Sequence, residues 1–132
     1  VHAGWRGTVL HIARKAASLM IEAYDCDPTQ LVAGIGPSIS QAAFEVGEEV
    51  VKAFQMAGFP MERILRRNAE TQKAHIDLWE TNRLQLLEAG LLSGHIEIAG
   101  ICTYIRYEDY FSARRLSVKS GRILTGICLK KS

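Results

Sequence analysis

An α+β fold is predicted, a mixed β-sheet layered with helices in one domain spanning residues 1–132, and three observations carry that reading. Val9, Ile12, Ala13, Ala16, Met20 and Ala23 recur at helical spacing. Leu31-Val32-Ala33-Gly34-Ile35 is a short apolar run closed by turn residues, and His95 to Cys102 alternates as a half-buried strand does. With 48% hydrophobic residues, the 132-residue chain is long enough for one core and too short for two ordinary domains.

Taken in order, the chain opens on Val1-His2-Ala3-Gly4-Trp5-Arg6-Gly7-Thr8, read as a strand end turning into a helix. Gly4 and Gly7 permit a tight turn or a close backbone approach, and Thr8 is placed to cap the helix that follows. His2 then presents a ring nitrogen suited to a metal, and Arg6 faces anything anionic nearby. The plainer alternative makes His2 a satisfied core histidine, Trp5 a core residue and Arg6 the partner of a carboxylate.

The first helix runs for about four turns and stops at Asp25-Cys26-Asp27-Pro28, because the residue before a proline is pushed out of the helical region. The strand Leu31 to Ile35 enters a loop, Gly36-Pro37-Ser38, whose backbone donors and hydroxyl suit a ligand. Phe44-Glu45-Val46-Gly47 leads into a helix with a Val50, Phe54, Ala57 stripe ended by Gly58. Met61 to Gln72 is weakly periodic and reads as a surface connection. Lys73 to Leu78 is expected to open another helix, with Ile76, Trp79, Leu86 and Leu87 on its apolar side, Arg83 interrupting the stripe and Gly90 as the stop. The strand His95 to Cys102 follows, and Ile123 to Leu129 is expected to be a closing strand. His11, His75 and His95 are read as structural, since none has a second metal ligand at helical spacing.

The formal charge is only +2, so nothing calls for a nucleic-acid partner. Cys26, Cys102 and Cys128 form neither a disulfide framework nor a zinc-finger pattern, which favours a reducing compartment. No signal segment and no membrane-length apolar run is visible, so a cytoplasmic protein without a membrane partner is expected. The chain begins at Val1, inside a predicted strand and without an initiator methionine, so the domain is expected to be incomplete at its N-terminus.

The string His2-Ala3-Gly4-Trp5-Arg6-Gly7-Thr8 resembles the hallmark of the laccase-domain family, also called multicopper polyphenol oxidases and now regarded as zinc-dependent purine nucleoside phosphorylases. Further matches follow in order. They are Gly34-Ile35-Gly36-Pro37-Ser38-Ile39, Phe44-Glu45-Val46-Gly47, Cys102-Thr103 and Tyr107-Glu108-Asp109-Tyr110-Phe111. After these come Phe111-Ser112-Ala113-Arg114-Arg115 and the Gly121-Arg122 pair. Leu116 stands where an aspartate is common in relatives. The resemblance covers the whole chain but only the C-terminal part of the family's domain.

The resemblance implies phosphorolysis of adenosine, inosine and related nucleosides, and adenosine deamination as a further activity. It implies Arg6, Arg114 and Arg115 as catalytic phosphate-binding residues, since a guanidinium presents a bidentate fork to phosphate. Trp5, Gly36, Ser38 and Ser112 are the implied substrate-binding residues, and His2 is the implied zinc ligand. The family's other histidine and its cysteine ligand are expected upstream of Val1, and none of the three cysteines present matches the latter. The expected partners are purine nucleosides and phosphate, with a homo-oligomer also open. A copper-dependent polyphenol oxidase is the alternative activity, against which one matching histidine is far from a multicopper set. A non-catalytic structural fragment is the other. His2, Arg6, Ser38, Arg114 and Arg115 are expected to converge on one cleft at strand ends.

Overall fold

A computed structural model describes residues 1–131. The element order is α1 (Trp5–Val9), α2 (Ile12–Tyr24), β1 (Ala33–Ile35), β2 (Glu45–Val46), α3 (Glu48–Met56), α4 (Met61–Ile64), β3 (Leu65–Arg67), β4 (Ala74–Ile76), α5 (Leu78–Glu88), β5 (Ile96–Ile98) and α6 (Ala113–Leu116). The fold is α+β. Parallel and antiparallel pairing both occur, but in separate sheets: β1 pairs with β5 in parallel, and β2-β4-β3 is antiparallel.

The opening differs from the expected strand end. Val1 to Gly4 are not in a strand, and helix starts at once with Gly4 as its N-cap. Thr8 is wholly buried inside α1 and caps nothing; its hydroxyl donates to the Ala3 carbonyl at 3.2 Å. The long first helix is likewise two helices. His11 sits in the left-handed region at φ 58°, where its ring stacks on Phe59 with centroids 4.7 Å apart and Nε2 lies 3.3 Å from the Ala57 carbonyl. Those contacts offset a backbone cost of about 1–2 kcal/mol. Beyond the corner, Ala13 and Ala17 form the buried face of α2, and their small side chains let it lie close against α5.

The principal core gathers Phe44, Val50, Phe54, Phe59, Ile64, Ile76 and Leu78 between α3, α5 and the three-stranded sheet. A smaller cluster of Ala17, Leu91 and Ile96 ties α2 to the parallel pair. Gly90 ends α5 at φ 104°, and a Cβ there would stand 2.9 Å from Pro28 Cβ, so only glycine makes this stop.

Three further expectations are corrected. Met61 to Gln72 is no surface connection: it holds α4 and β3, and Ile64 is wholly buried. One deeply buried position among charged neighbours leaves no periodic trace. Ala74 to Ile76 is a strand rather than the start of a helix, with Ala74 and Ile76 inward and half-buried His75 between them. Helix begins only after Asp77, whose carboxylate accepts from the Glu80 amide at 2.9 Å. Along α5 the buried residues are Leu78, Thr81, Asn82 and Gln85, so its most buried face is largely polar; of the expected stripe Leu86 and Leu87 are half-buried against the smaller cluster, while Ile76 lies before the helix on β4 and Trp79 is half-buried.

The last expected strand is absent. Residues 121–131 carry no regular structure and lie exposed, Leu124 at 97% and Leu129 at 98%, because no strand among the described residues lies beside them to form a ladder. His95 to Cys102 is shorter than expected, reduced to β5 after a 3-10 turn at Ser93–His95.

Candidate functional site

The parallel pair organises one cluster. At the C-terminal ends of β1 and β5 the loops 36–40 and 99–107 leave side by side, joined by a bridge between Ser38 and Cys102. The Ser38 amide donates to the Ile101 carbonyl at 3.1 Å and the Thr103 amide to the Ser38 carbonyl at 3.2 Å. Crevices outside the carboxyl ends of parallel strands are where ligands bind in open α/β sheets.

Ser38 is already committed within this cluster. Its hydroxyl accepts from the Trp79 indole N–H at 2.6 Å and donates to the Gly36 carbonyl at 3.1 Å. Trp79, expected as an apolar residue of α5, is thus a brace for this loop. Gly36 faces the C-terminal segment, where an added Cβ would meet Thr125 Cγ2 at 3.1 Å.

Cys102 is the acceptor at the centre. Its buried thiol receives the Ser40 amide at 3.3 Å and the Ser40 hydroxyl at 3.1 Å. Burial pushes its pKa up, but the Ser40 hydroxyl and amide, with the amides of Ile105 and Tyr104, outweigh this and hold it below the ordinary thiol value. Nothing in its one-dimensional context signals this, since the donors come from a loop 62 residues away and from the chain just beyond it.

From this loop Tyr104 and Tyr107 clamp Arg115, with its guanidinium carbon 5.1 Å and 4.3 Å from their ring centroids. Ser112 is buried and caps α6, its hydroxyl accepting from the Arg115 amide at 3.3 Å. Arg114 turns the other way, over Phe44 at 5.1 Å, and donates from Nη1 to the Glu45 carbonyl at 3.0 Å. The adjacent arginines therefore serve different neighbours, and they lie on a short helix rather than at a strand end.

The N-terminal turn is a second cluster. Arg6 is exposed with its guanidinium carbon 4.5 Å from the centroid of half-buried Trp5, which itself packs on the principal core. Exposed His2 folds its ring back over Gly4, where a Cβ would stand 3.0 Å from His2 Nε2. A close backbone approach at Gly4 was the sequence expectation, and here the neighbour approached is the histidine itself. No three His, Cys, Asp or Glu side chains among the described residues stand together as a metal site, so His2 is a single donor and these residues do not by themselves fit zinc or copper.

Hydrogen bonds and ring contacts link Ser38 to Cys102 and Arg115 to the loop beyond it; none of those described links His2 or Arg6 to that cluster. Two open depressions, of about 370 and 210 Å³, are lined by residues 45–48 with 71–74 and by Gln41, Ala42, Arg66, Asn68 and His75. His75 is on β4, and its Nδ1 lies 3.0 Å from the Gln41 carbonyl, which fixes it as the donating nitrogen. No helix of the described residues is long and apolar enough to cross a membrane.

Comparison with known proteins places this arrangement. The chain is 56% identical over 131 residues to a purine nucleoside phosphorylase of Bacteroides thetaiotaomicron, covering 99% of this chain and 48% of that protein. It is 45% identical to adenosine deaminase RL5 of an unknown prokaryotic organism, covering 98% of this chain and 49% of the other. The crystal structure of YlmD from Geobacillus stearothermophilus superposes with a TM-score of 0.76 at 34% identity, over 87% of this chain and 43% of that one. The chain spans about half the length of the curated relatives it matches. A family profile described as multi-copper polyphenol oxidoreductase laccase matches residues 1–130, and the chain belongs to that family.

Proposed function

We propose that the protein carrying this chain is a purine nucleoside phosphorylase that cleaves adenosine, inosine and related nucleosides with phosphate. The observation that carries the reading is the state of two arginines. Arg14, Arg63, Arg67, Arg83 and Arg106 are each ion-paired, whereas Arg6, Arg114 and Arg115 lie against aromatic faces and make no ion pair among the described residues, and of these three Arg114 already donates to the Glu45 carbonyl. Stacking leaves the guanidinium edge, with its fork of N–H donors, free for a phosphate dianion. That phosphate chemistry agrees with the names of the relatives.

In this reading phosphate held by a free arginine fork attacks the anomeric carbon of the ribose. A C–O bond forms there as the bond to the purine nitrogen breaks, and the base leaves with that electron pair and takes up a proton. Positive charge gathers on the sugar in the transition state and the bound dianion stabilises it. Zinc, which the family resemblance implies, is assigned no step. His2 would offer one imidazole to it, and the remaining donors of such a site would lie outside the described residues. Deamination of adenosine is a second reading, favoured by the relative named for that activity.

The test uses the protein at its natural length. Inosine with phosphate is expected to yield hypoxanthine and ribose 1-phosphate, and Arg115→Ala is expected to lower kcat/KM for phosphate by about 10- to 100-fold, the loss of one charge-assisted contact. Failure to release base from inosine or adenosine in a phosphate-dependent manner overturns the proposal. Oxygen uptake with a phenol, in the absence of phosphorolysis, points to the copper oxidase alternative.

A further inference from the structure

Thr8 and Gln85 are wholly buried and Asn82 is 7% exposed, a polar seam where α1 meets α5. Leucine or methionine would join two helices there at no greater cost, because buried polar groups must find partners merely to break even. What directional bonds add is orientation, and here they run in one line.

Asn82 Nδ2 donates to the Leu78 carbonyl at 2.8 Å and to Thr8 Oγ1 at 3.1 Å. A carbonyl can only accept, so the Asn82 amide cannot be flipped, and its Oδ1 is left buried without a partner among the described residues. The Thr8 hydroxyl spends its single proton on the Ala3 carbonyl, 3.2 Å away. Gln85 Nε2 donates to the Thr8 carbonyl at 2.8 Å, while its Oε1 accepts from the Arg14 amide at 3.2 Å. The Thr8 amide donates to the Gly4 carbonyl at 2.8 Å.

Thr8 therefore holds two successive carbonyls, those of Ala3 and Gly4, and is itself held at its hydroxyl and its carbonyl by α5. We infer that Asn82 and Gln85 are positioning residues that act through Thr8 to set the Val1–Gly4 turn and the first turn of α1, and with them the placement of His2, Trp5 and Arg6. This rests on the reading of that turn as part of the nucleoside and phosphate site. The segment has no strand partner among the described residues and His2 and Arg6 are exposed, so these bonds from Thr8 restrain it together with the packing of Trp5, the Leu10 amide on the Arg6 carbonyl and the contact of α1 with α2.

Thr8→Val keeps the shape and removes the hydroxyl relay, whereas Thr8→Ser keeps the relay. Two readouts are taken on the protein at its natural length: amide hydrogen exchange across Gly4 to Thr8, and kcat against KM for inosine. Thr8→Val is expected to speed exchange in the turn about tenfold and to lower kcat about 10- to 100-fold with KM little changed, the scale of a misplaced catalytic group. Thr8→Ser is expected to restore both. Unchanged exchange in Thr8→Val, or a Thr8→Ser protein as impaired as Thr8→Val, overturns the inference. If the unmutated protein performs no phosphorolysis, the proposed function fails and exchange alone still decides the positioning role. If Thr8→Val does not fold, Gln85→Met removes the bond to the Thr8 carbonyl with shape retained and is held to the same exchange criterion.

Discussion

Replacing Cys102 by alanine removes one sulfur that accepts hydrogen bonds from the Ser40 hydroxyl and amide and that the neighbouring amides of Tyr104 and Ile105 help hold below the ordinary thiol pKa, four donors in all. Were all four left dry, the cost at about 1–3 kcal/mol each would rival the stability of a whole domain. They are not all dry. Ile105 is exposed and Ser40 and Tyr104 are half-buried, so water reaches part of the set, and sulfur is a weak acceptor to begin with. A net loss of about 2 kcal/mol is expected, which for a chain of this size lowers Tm by about 6–10 °C.

The pH dependence carries a distinct sign. The Cys102 pKa is lower folded than unfolded, so the native state favours the thiolate. Its contribution is fully present above the unfolded value of about 8.5 and is lost as pH falls through the folded value. Urea melts of the unmutated protein and Cys102→Ala, run side by side at about pH 6 and about pH 9, should show the gap in stability widening toward the alkaline end. Cys26 and Cys128 are present in both proteins and cancel. A gap below about 0.5 kcal/mol, or one that narrows as pH rises, would refute the convergence of donors on this sulfur.

Ile64→Ala, at a wholly buried position, is expected to cost about 3–4 kcal/mol in urea unfolding, and a loss under about 1 kcal/mol would take residues 61–67 out of the core. Glu80 is held below the usual carboxylate range, chiefly by Arg83 and then by Arg63, with contacts of 2.7 and 2.8 Å. Glu80→Gln should therefore destabilise by about 1 kcal/mol at neutral pH, and the difference should vanish as pH falls through the depressed folded value; a difference that persists in acid would show that charge is not its source.

The sequence by itself determined the architecture wherever a single period runs undisturbed. The helix α2 with Ala13 on its buried side, the run into β1, the helix from Glu48 ended by Gly58, and the glycine stop at Gly90 were all legible, because apolar spacing and backbone freedom are properties of neighbouring residues, whereas Ala17 takes the buried place and the expected Met20 and Ala23 are exposed. The motif order from His2 to Arg115 likewise identified the family.

What only the tertiary structure decided depends on partners distant in the chain. The break at His11 depends on Phe59 and Ala57, the strand at Ala74 on β2 and β3, and the polar inner face of α5 on Thr8, 74 residues before Asn82. The fates of the site residues depend on such partners too. Ser38 answers to Trp79, Arg114 to Glu45 and Phe44, and Arg115 to Tyr104 and Tyr107. A hydrogen bond or a stacked ring is a relation between two places in space. Sequence spacing reveals it only when both lie on one element, and in this chain the relations that hold the site mostly join different ones.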